Sequence, residues 1–266
     1  MRASSAICVL AAAMLGFGCC GTDRSVTPAP DTDVTGSEPT LRQGAAAGFV
    51  EILPGVRINE ALRTLEFDAV VAMDCHHPET PDVYLEVICC TPDTREHESL
   101  VVTTVPPSSI HAGLLALGGK PGRPGGWRRA GETVEPVAPE GDRVRVWFIT
   151  STTDGERTMQ EPEHWIVQRE TRQPLMTAMP GSGWVFAGSR MRDFRGRRVY
   201  DADGTGQLIG LHTFGSETIA WTRVESPEAS VQEPLWLANA DVVPEIGTPV
   251  TVRVSLELDG ASPLSD

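Results

Sequence analysis

Residues 65–71, Leu65-Glu66-Phe67-Asp68-Ala69-Val70-Val71, decide the fold class. Leu65, Phe67, Ala69 and Val71 alternate with Glu66, Asp68 and Val70, and a two-residue period places the two sets on opposite faces of a β-strand. Shorter runs of the same kind lie on both sides. Upstream, residues 49–52 and 56–58 are extended pieces about the Pro54-Gly55 turn. Downstream, residues 83–90 and 100–105 read as strands, the second stopped by Pro106-Pro107. Residues 143–150 put Val144, Val146 and Phe148 on one face, and residues 184–187, 198–200, 207–214, 218–221 and 249–258 add further strands. The 26 glycines and 21 prolines fall between these runs, where turns need them. One helix interrupts the series. Ser108 or Ser109 serves as its N-cap, Ile110, Leu114, Leu115 and Leu117 form its apolar stripe, and Gly118-Gly119 ends it before Pro121. Residues 162–167 fit a single helical turn. The pattern predicts a mainly β (α+β) domain, an antiparallel sandwich or open barrel with one packed helix near residues 109–118. A subdivision near residue 140 is compatible with it.

The N-terminus assigns a compartment. Arg2 precedes a short run of apolar and small residues, 7–17, which suits a signal-peptide core and is too short to cross a bilayer. The run ends in Leu15-Gly16-Phe17-Gly18-Cys19-Cys20, which resembles a bacterial lipobox and makes Cys19 the lipidation site. Leu15 stands four residues before Cys19, where a lipobox places it three before. Residues 1–19 therefore read as a signal peptide, and cleavage near Gly18 without lipidation is the plainer alternative. Residues 20–47 are rich in Thr, Pro, Ser, Asp, Gly and Ala and have no hydrophobic period, as expected of a disordered tether. The β-rich domain then occupies 48–258, and 259–266 is a tail. The expected protein is exported and membrane-anchored through its N-terminal lipid, on the extracellular side of the cell envelope or periplasm.

A net charge of −14 argues against nucleic acid as a partner and against direct docking on anionic lipid. Possible ligand residues concentrate in one stretch: Cys75, His76, His77, Cys89, Cys90, His97, Glu98 and His111. Thiolates and imidazoles suit zinc, copper or iron. His97, His111 and Cys75 are the first candidates, because a helix starting near 109 can turn His111 toward the strand bearing His97. No standard zinc spacing is present, neither C-x₂-C nor H-E-x-x-H, so a structural polar cluster is the competing reading. Cys75 with Cys89 or Cys90 is the long-range disulfide open to an exported chain. A simple hairpin of residues 65–71 with 83–90 opposes this, since it sets Cys89 across from Phe67 and leaves Cys75 in the loop.

Other motifs fall short. Asp201-Ala202-Asp203-Gly204-Thr205-Gly206 departs from a calcium loop at Thr205 and at His212, so a hairpin turn is expected there. Gly181-Ser182-Gly183 and Ala187-Gly188-Ser189 lack the strand–elbow–helix setting of a hydrolase nucleophile. Residues 121–126, Gly- and Pro-rich, precede no helix and so make no phosphate loop. The six tryptophans are expected mainly as packing residues.

Residues 90–100, Cys90-Thr91-Pro92-Asp93-Thr94-Arg95-Glu96-His97-Glu98-Ser99-Leu100, run into Pro106-Pro107-Ser108-Ser109-Ile110-His111-Ala112-Gly113-Leu114-Leu115-Ala116-Leu117-Gly118. Together with Trp184-Val185-Phe186-Ala187-Gly188-Ser189, Thr213-Phe214-Gly215 and Thr218-Ile219-Ala220-Trp221, this resembles the YdjY-domain family, including secreted members of planctomycete type. The resemblance spans roughly residues 48–256. It implies no established activity. Some relatives are described as ferredoxin-like iron–sulfur proteins, but this chain has no C-x₂-C-x₂-C run and three cysteines in its domain, where a cluster takes four. No iron–sulfur cluster is expected. The leading expectation is a non-enzymatic envelope module that binds a protein, a glycan or a small ligand. A transition-metal or redox-cofactor protein using the His/Cys cluster comes second, and a hydrolase last.

Overall fold

The computed structural model describes residues 48–79, 82–151 and 154–257. Ten strands carry the architecture: β1 Val50–Leu53, β2 Val56–Asn59, β3 Thr64–Val71, β4 Val87–Cys90, β5 Ser99–Val102, β6 Arg143–Ser151, β7 Trp184–Val185, β8 Gln207–Gly210, β9 Ile219–Trp221 and β10 Pro249–Leu256. Eight of them close into a barrel in the order β3-β10-β6-β7-β9-β8-β4-β5, with β5 pairing back onto β3 through Val70↔Val102 and Val71↔Val101. β1 and β2 extend from the outer edge of β3. The strand-rich reading holds, and the ring is closed rather than open or split into two sheets. It draws three strands from before residue 140 and five from after it.

The period-2 sequences face as their chemistry requires. Leu65, Phe67, Ala69 and Val71 of β3 are buried, as are Val144, Val146 and Phe148 of β6 and Val250, Val252, Val254 and Leu256 of β10. They pair directly, for example Val252↔Phe67 and Phe148↔Val252, and join one continuous core. On the outer face of the same strands, Glu66 receives Arg253 at 2.5 Å and Asp68 receives Arg57 at 2.6 Å. Burying these side chains inside the ring supplies the main driving force for the fold, at about 25 cal/mol per Å² of apolar area.

Two pairs in the ring are parallel, β4 with β5 and β8 with β9; the rest are antiparallel. β4 is flanked by β8 and β5, not by β3. The simple hairpin expected between residues 65–71 and 83–90 is therefore absent, and Cys89 faces Ile209 and Val101 across the ladder instead of Phe67.

The described residues hold three short α-helices: α1 Pro107–Ala116, α2 Leu175–Ala178 and α3 Asp201–Thr205. α1 lies against the end of the barrel where β3 begins and β10 finishes. A Cβ on Gly113 would come 2.4 Å from Leu65, and one on Gly119 would come 2.9 Å from Leu256. Its N-cap is Pro106 with Pro107 at the first helical position, and neither serine caps it. Proline presets φ there and needs no N–H partner, while the exposed N–H of Ser108 is met by the Asp203 carboxylate at 2.8 Å. The helix ends as expected. Gly118 is left-handed at φ 82, and Gly119 and Gly118 donate to the carbonyls of Leu114 and Leu115, the Schellman pattern. The 162–167 turn appears as a 3-10 turn over Pro162–Trp165.

Candidate functional site

The eight residues singled out in sequence do not converge. Cys75 follows β3 and is buried; Cys89 and Cys90 are fully buried in β4, and all three thiols are free. The disulfide left open for Cys75 with Cys89 or Cys90 is not formed. Burial pushes all three thiols up, Cys89 most. His76 bonds the Val243 carbonyl at 2.8 Å, and His77 accepts the Glu79 N–H at 3.2 Å. His97 is exposed, with Nε2 3.7 Å from Glu98 Oε1. α1 turns His111 toward Tyr200 and Phe186 instead of toward His97. Its Nδ1 is 2.9 Å from the Tyr200 hydroxyl, and the Phe186 ring meets it edge-on. Among the described residues, no three His, Cys, Asp or Glu side chains are placed to share a metal ion.

Glu98, with the exposed His97 beside it, belongs to a concentration of polar chemistry that draws on distant parts of the chain. Glu86 precedes β4. Its N–H donates to the Glu98 carbonyl, and its own carbonyl receives the N–H groups of Leu211 and His212. Three segments are thereby stitched together, and their side chains meet. Arg95 Nη1 donates to Glu86 Oε2 at 2.8 Å and to Glu98 Oε2 at 2.9 Å, while its guanidinium lies 4.4 Å over the Phe214 ring. His212 is buried between two carboxyl groups. Its Nδ1 is 3.9 Å from Glu86 Oε1, its Nε2 is 3.5 Å from Glu225 Oε2, and neither nitrogen makes a hydrogen bond. Glu225 Oε2 accepts the Trp236 indole N–H at 2.6 Å.

The electrostatics follow from burial. Desolvation, then repulsion from Glu98, pushes Glu86 up to about 7 against the pull of Arg95. Burial pushes Glu225 up and pushes His212 down to about 4. At neutral pH the imidazole is uncharged, and the cluster is a braced acid–histidine group with Arg95 on its more exposed side.

The chain from His212 to Thr218 is held by a second set of buried groups. Glu217, fully buried, receives the N–H groups of Phe214 and Gly215, the latter at 3.1 Å. Gly210 leaves the room this needs, since a Cβ there would lie 2.4 Å from Glu217 Cγ. Ser216 bonds Gln207 and Thr205, and the Tyr200 hydroxyl bridges His111 and Thr218. The serines of the two rejected nucleophile motifs are engaged elsewhere: Ser182 accepts from Arg223 at 2.9 Å, and Ser189 donates to the Ser216 carbonyl at 2.7 Å. The expected hairpin turn at residues 201–206 is the one-turn α3, closed by left-handed Gly206. Asp201 there is buried beneath Arg190 and Arg192, at 2.7 and 2.9 Å.

Sequence reasoning missed Glu86, Arg95, His212 and Glu225 because it weighed local density of ligand residues. The usable signal was a carboxylate immediately before an apolar strand and a histidine in a strand-like run; both mark polar groups that a barrel wall must bury. A cleft of about 200 Å³ on the wall, lined by Asp68, Ile149, Arg157 and Thr251 among others, shares none of these residues and is smaller than usual small-molecule sites.

No curated protein and no solved structure matches the chain. The YdjY domain model does match, over residues 56–255, a span that begins at β2 and ends one residue short of the end of β10. With all but the last residue of the barrel inside that span, the chain belongs to the YdjY domain family.

Proposed function

We propose that this chain is an exported envelope protein, held at a membrane by lipid on Cys19, whose barrel is a non-enzymatic binding module. The observation that carries the reading is the fate of its reactive side chains. The three thiols are buried with their pKa values pushed up. The serines of the nucleophile-like motifs are held by Arg223 and by a carbonyl, and His212 and Glu225 of the acid–histidine group are buried. A nucleophile needs a thiolate or an adjacent base and a path for substrate, and these groups have neither. Chemistry of contact at the surface is what such a domain has to offer. In the membrane fraction, the intact mass of the mature chain is expected to start at a lipidated Cys19, and the Cys19→Ala, Cys20→Ala chain is expected to be released. Full-length polypeptide recovered uncleaved from the cytosol would overturn the compartment. Stoichiometric labelling of one serine or cysteine in the native chain by an active-site probe would overturn the non-enzymatic reading.

A further inference from the structure

Residues 190–198 read Arg-Met-Arg-Asp-Phe-Arg-Gly-Arg-Arg, five arginines against one aspartate, a local charge of +4 in a chain of −14. They form a two-stranded ribbon, Met191–Phe194 with Arg197–Tyr200, outside the barrel ring. Arg195 and Gly196 turn it with φ of 50 and 76, the two-residue hairpin turn in which both central residues are left-handed. Every residue from Met191 to Arg198 is exposed. Arg192, Phe194 and Arg197 share one face, with Phe194 directly across from Arg197 and Arg192 across from Val199. Arg190 and Arg192 are spent on the buried Asp201, which roots the ribbon. Arg195, Arg197 and Arg198 have no carboxylate partner among the described residues.

We propose that this ribbon docks on an anionic phospholipid surface, with the arginines on lipid phosphates and Phe194 at the headgroup boundary. Guanidinium matches phosphate in charge and in its paired donors. Phe194 is 49% exposed beside those charges, the pairing of apolar and cationic groups that interfacial segments use. The Phe194 ring has the guanidiniums of Arg192 and Arg195 over it, at 5.6 and 5.1 Å from its centroid. The inference rests on the anchored reading above for its geometry: the roughly 28 residues between Cys19 and Gly48 can span up to about 90 Å, enough to present any face of the domain to the membrane. Tethering raises the ribbon's effective concentration there, so modest affinity suffices.

The test uses the full chain carrying Cys19→Ala and Cys20→Ala, sedimented with vesicles of phosphatidylcholine or of phosphatidylglycerol and phosphatidylcholine at 3:7. Binding at least tenfold stronger to the anionic vesicles is expected, lost in high salt, and reduced at least tenfold by Arg195→Gln, Arg197→Gln and Arg198→Gln together. Phe194→Ser is expected to weaken it several-fold. Circular dichroism checks that each variant is folded; if the triple variant is not, Arg195→Gln alone, at the tip, replaces it. Equal binding to both vesicles, or binding unchanged by the arginine substitutions, overturns the proposal. So does competition by a soluble polyuronate at equal charge concentration, which assigns the ribbon to an anionic glycan. The lipidated mass of Cys19 is measured separately, so failure of the anchor and failure of the ribbon remain distinguishable.

Discussion

Glu86 and Glu163 are carboxyl groups held up at about 7, and His212 is an imidazole held down at about 4, each chiefly by burial. Each acid keeps in the folded chain a proton that the unfolded chain loses above about 4.5, so its contribution to stability declines as pH rises from there through 7. His212 acts the other way: the unfolded chain takes a proton below about 6.5 that the folded chain refuses until about 4, so its contribution is lost as pH falls through that window. Glu217 and Glu225, also raised, join the acids. The lowered carboxyls Asp68, Glu96 and Glu140 matter only below their ordinary values near 4. His111, also lowered by burial, joins His212, and four acids against two histidines predict a melting temperature highest near pH 5 and lower at pH 8. A profile that rises steadily to pH 8 would contradict these burial effects. Glu163→Gln, whose amide oxygen can still accept the Trp184 N–H, is expected to stabilise by about 1 kcal/mol at pH 8 and by little at pH 4.5. The thiols make a second prediction at this scale: iodoacetamide is expected to modify Cys75, Cys89 and Cys90 only after denaturation, read by mass. The site residues were poorly legible in sequence for a physical reason. Glu86, Arg95, His212 and Glu225 meet only because β4 is inserted between β8 and β5, and that pairing leaves no local trace.

α1 depends on two contacts that its own sequence does not advertise. Gly113 allows the helix to approach Leu65 and Val56, and Gly113→Ala would place a Cβ 2.4 Å from one and 3.0 Å from the other. A loss of about 1–3 kcal/mol in denaturant unfolding is expected from such overpacking. Asp203 caps the helix from α3, and Asp203→Ala is expected to cost about 1 kcal/mol, with Asn retaining most of it. The elements differ in how plainly they stand in the sequence. β3, β6 and β10 were legible because each has one dry and one wet face. β4, buried at every residue, offers no alternation, so its existence was readable and its neighbours were not. α3 was hidden because Asp201-Ala202-Asp203-Gly204 suits a turn equally well, and the buried pairing of Asp201 with Arg190 and Arg192 decides between them.

The ring as a whole joins distant parts of the chain. β10 lies between β3 and β6, so the last strand completes a wall whose other members were made long before it. Deleting residues 249–266 is expected to leave β3 and β6 each with a bare ladder edge and to yield aggregated or unfolded protein on size exclusion. Resemblance in sequence anticipated the family and the strand-rich build. Closure was beyond it, since whether the first and last strands of a sheet meet is a property of register and tilt around the full circle. β10's placement also bears on biogenesis. A polypeptide threaded through a translocon amino end first would deliver its keystone last, leaving nearly two hundred residues waiting on the far side as an unfinished hoop. On the proposed export route, those open rims would stay bare until residues 249–266, the last eighteen, come through.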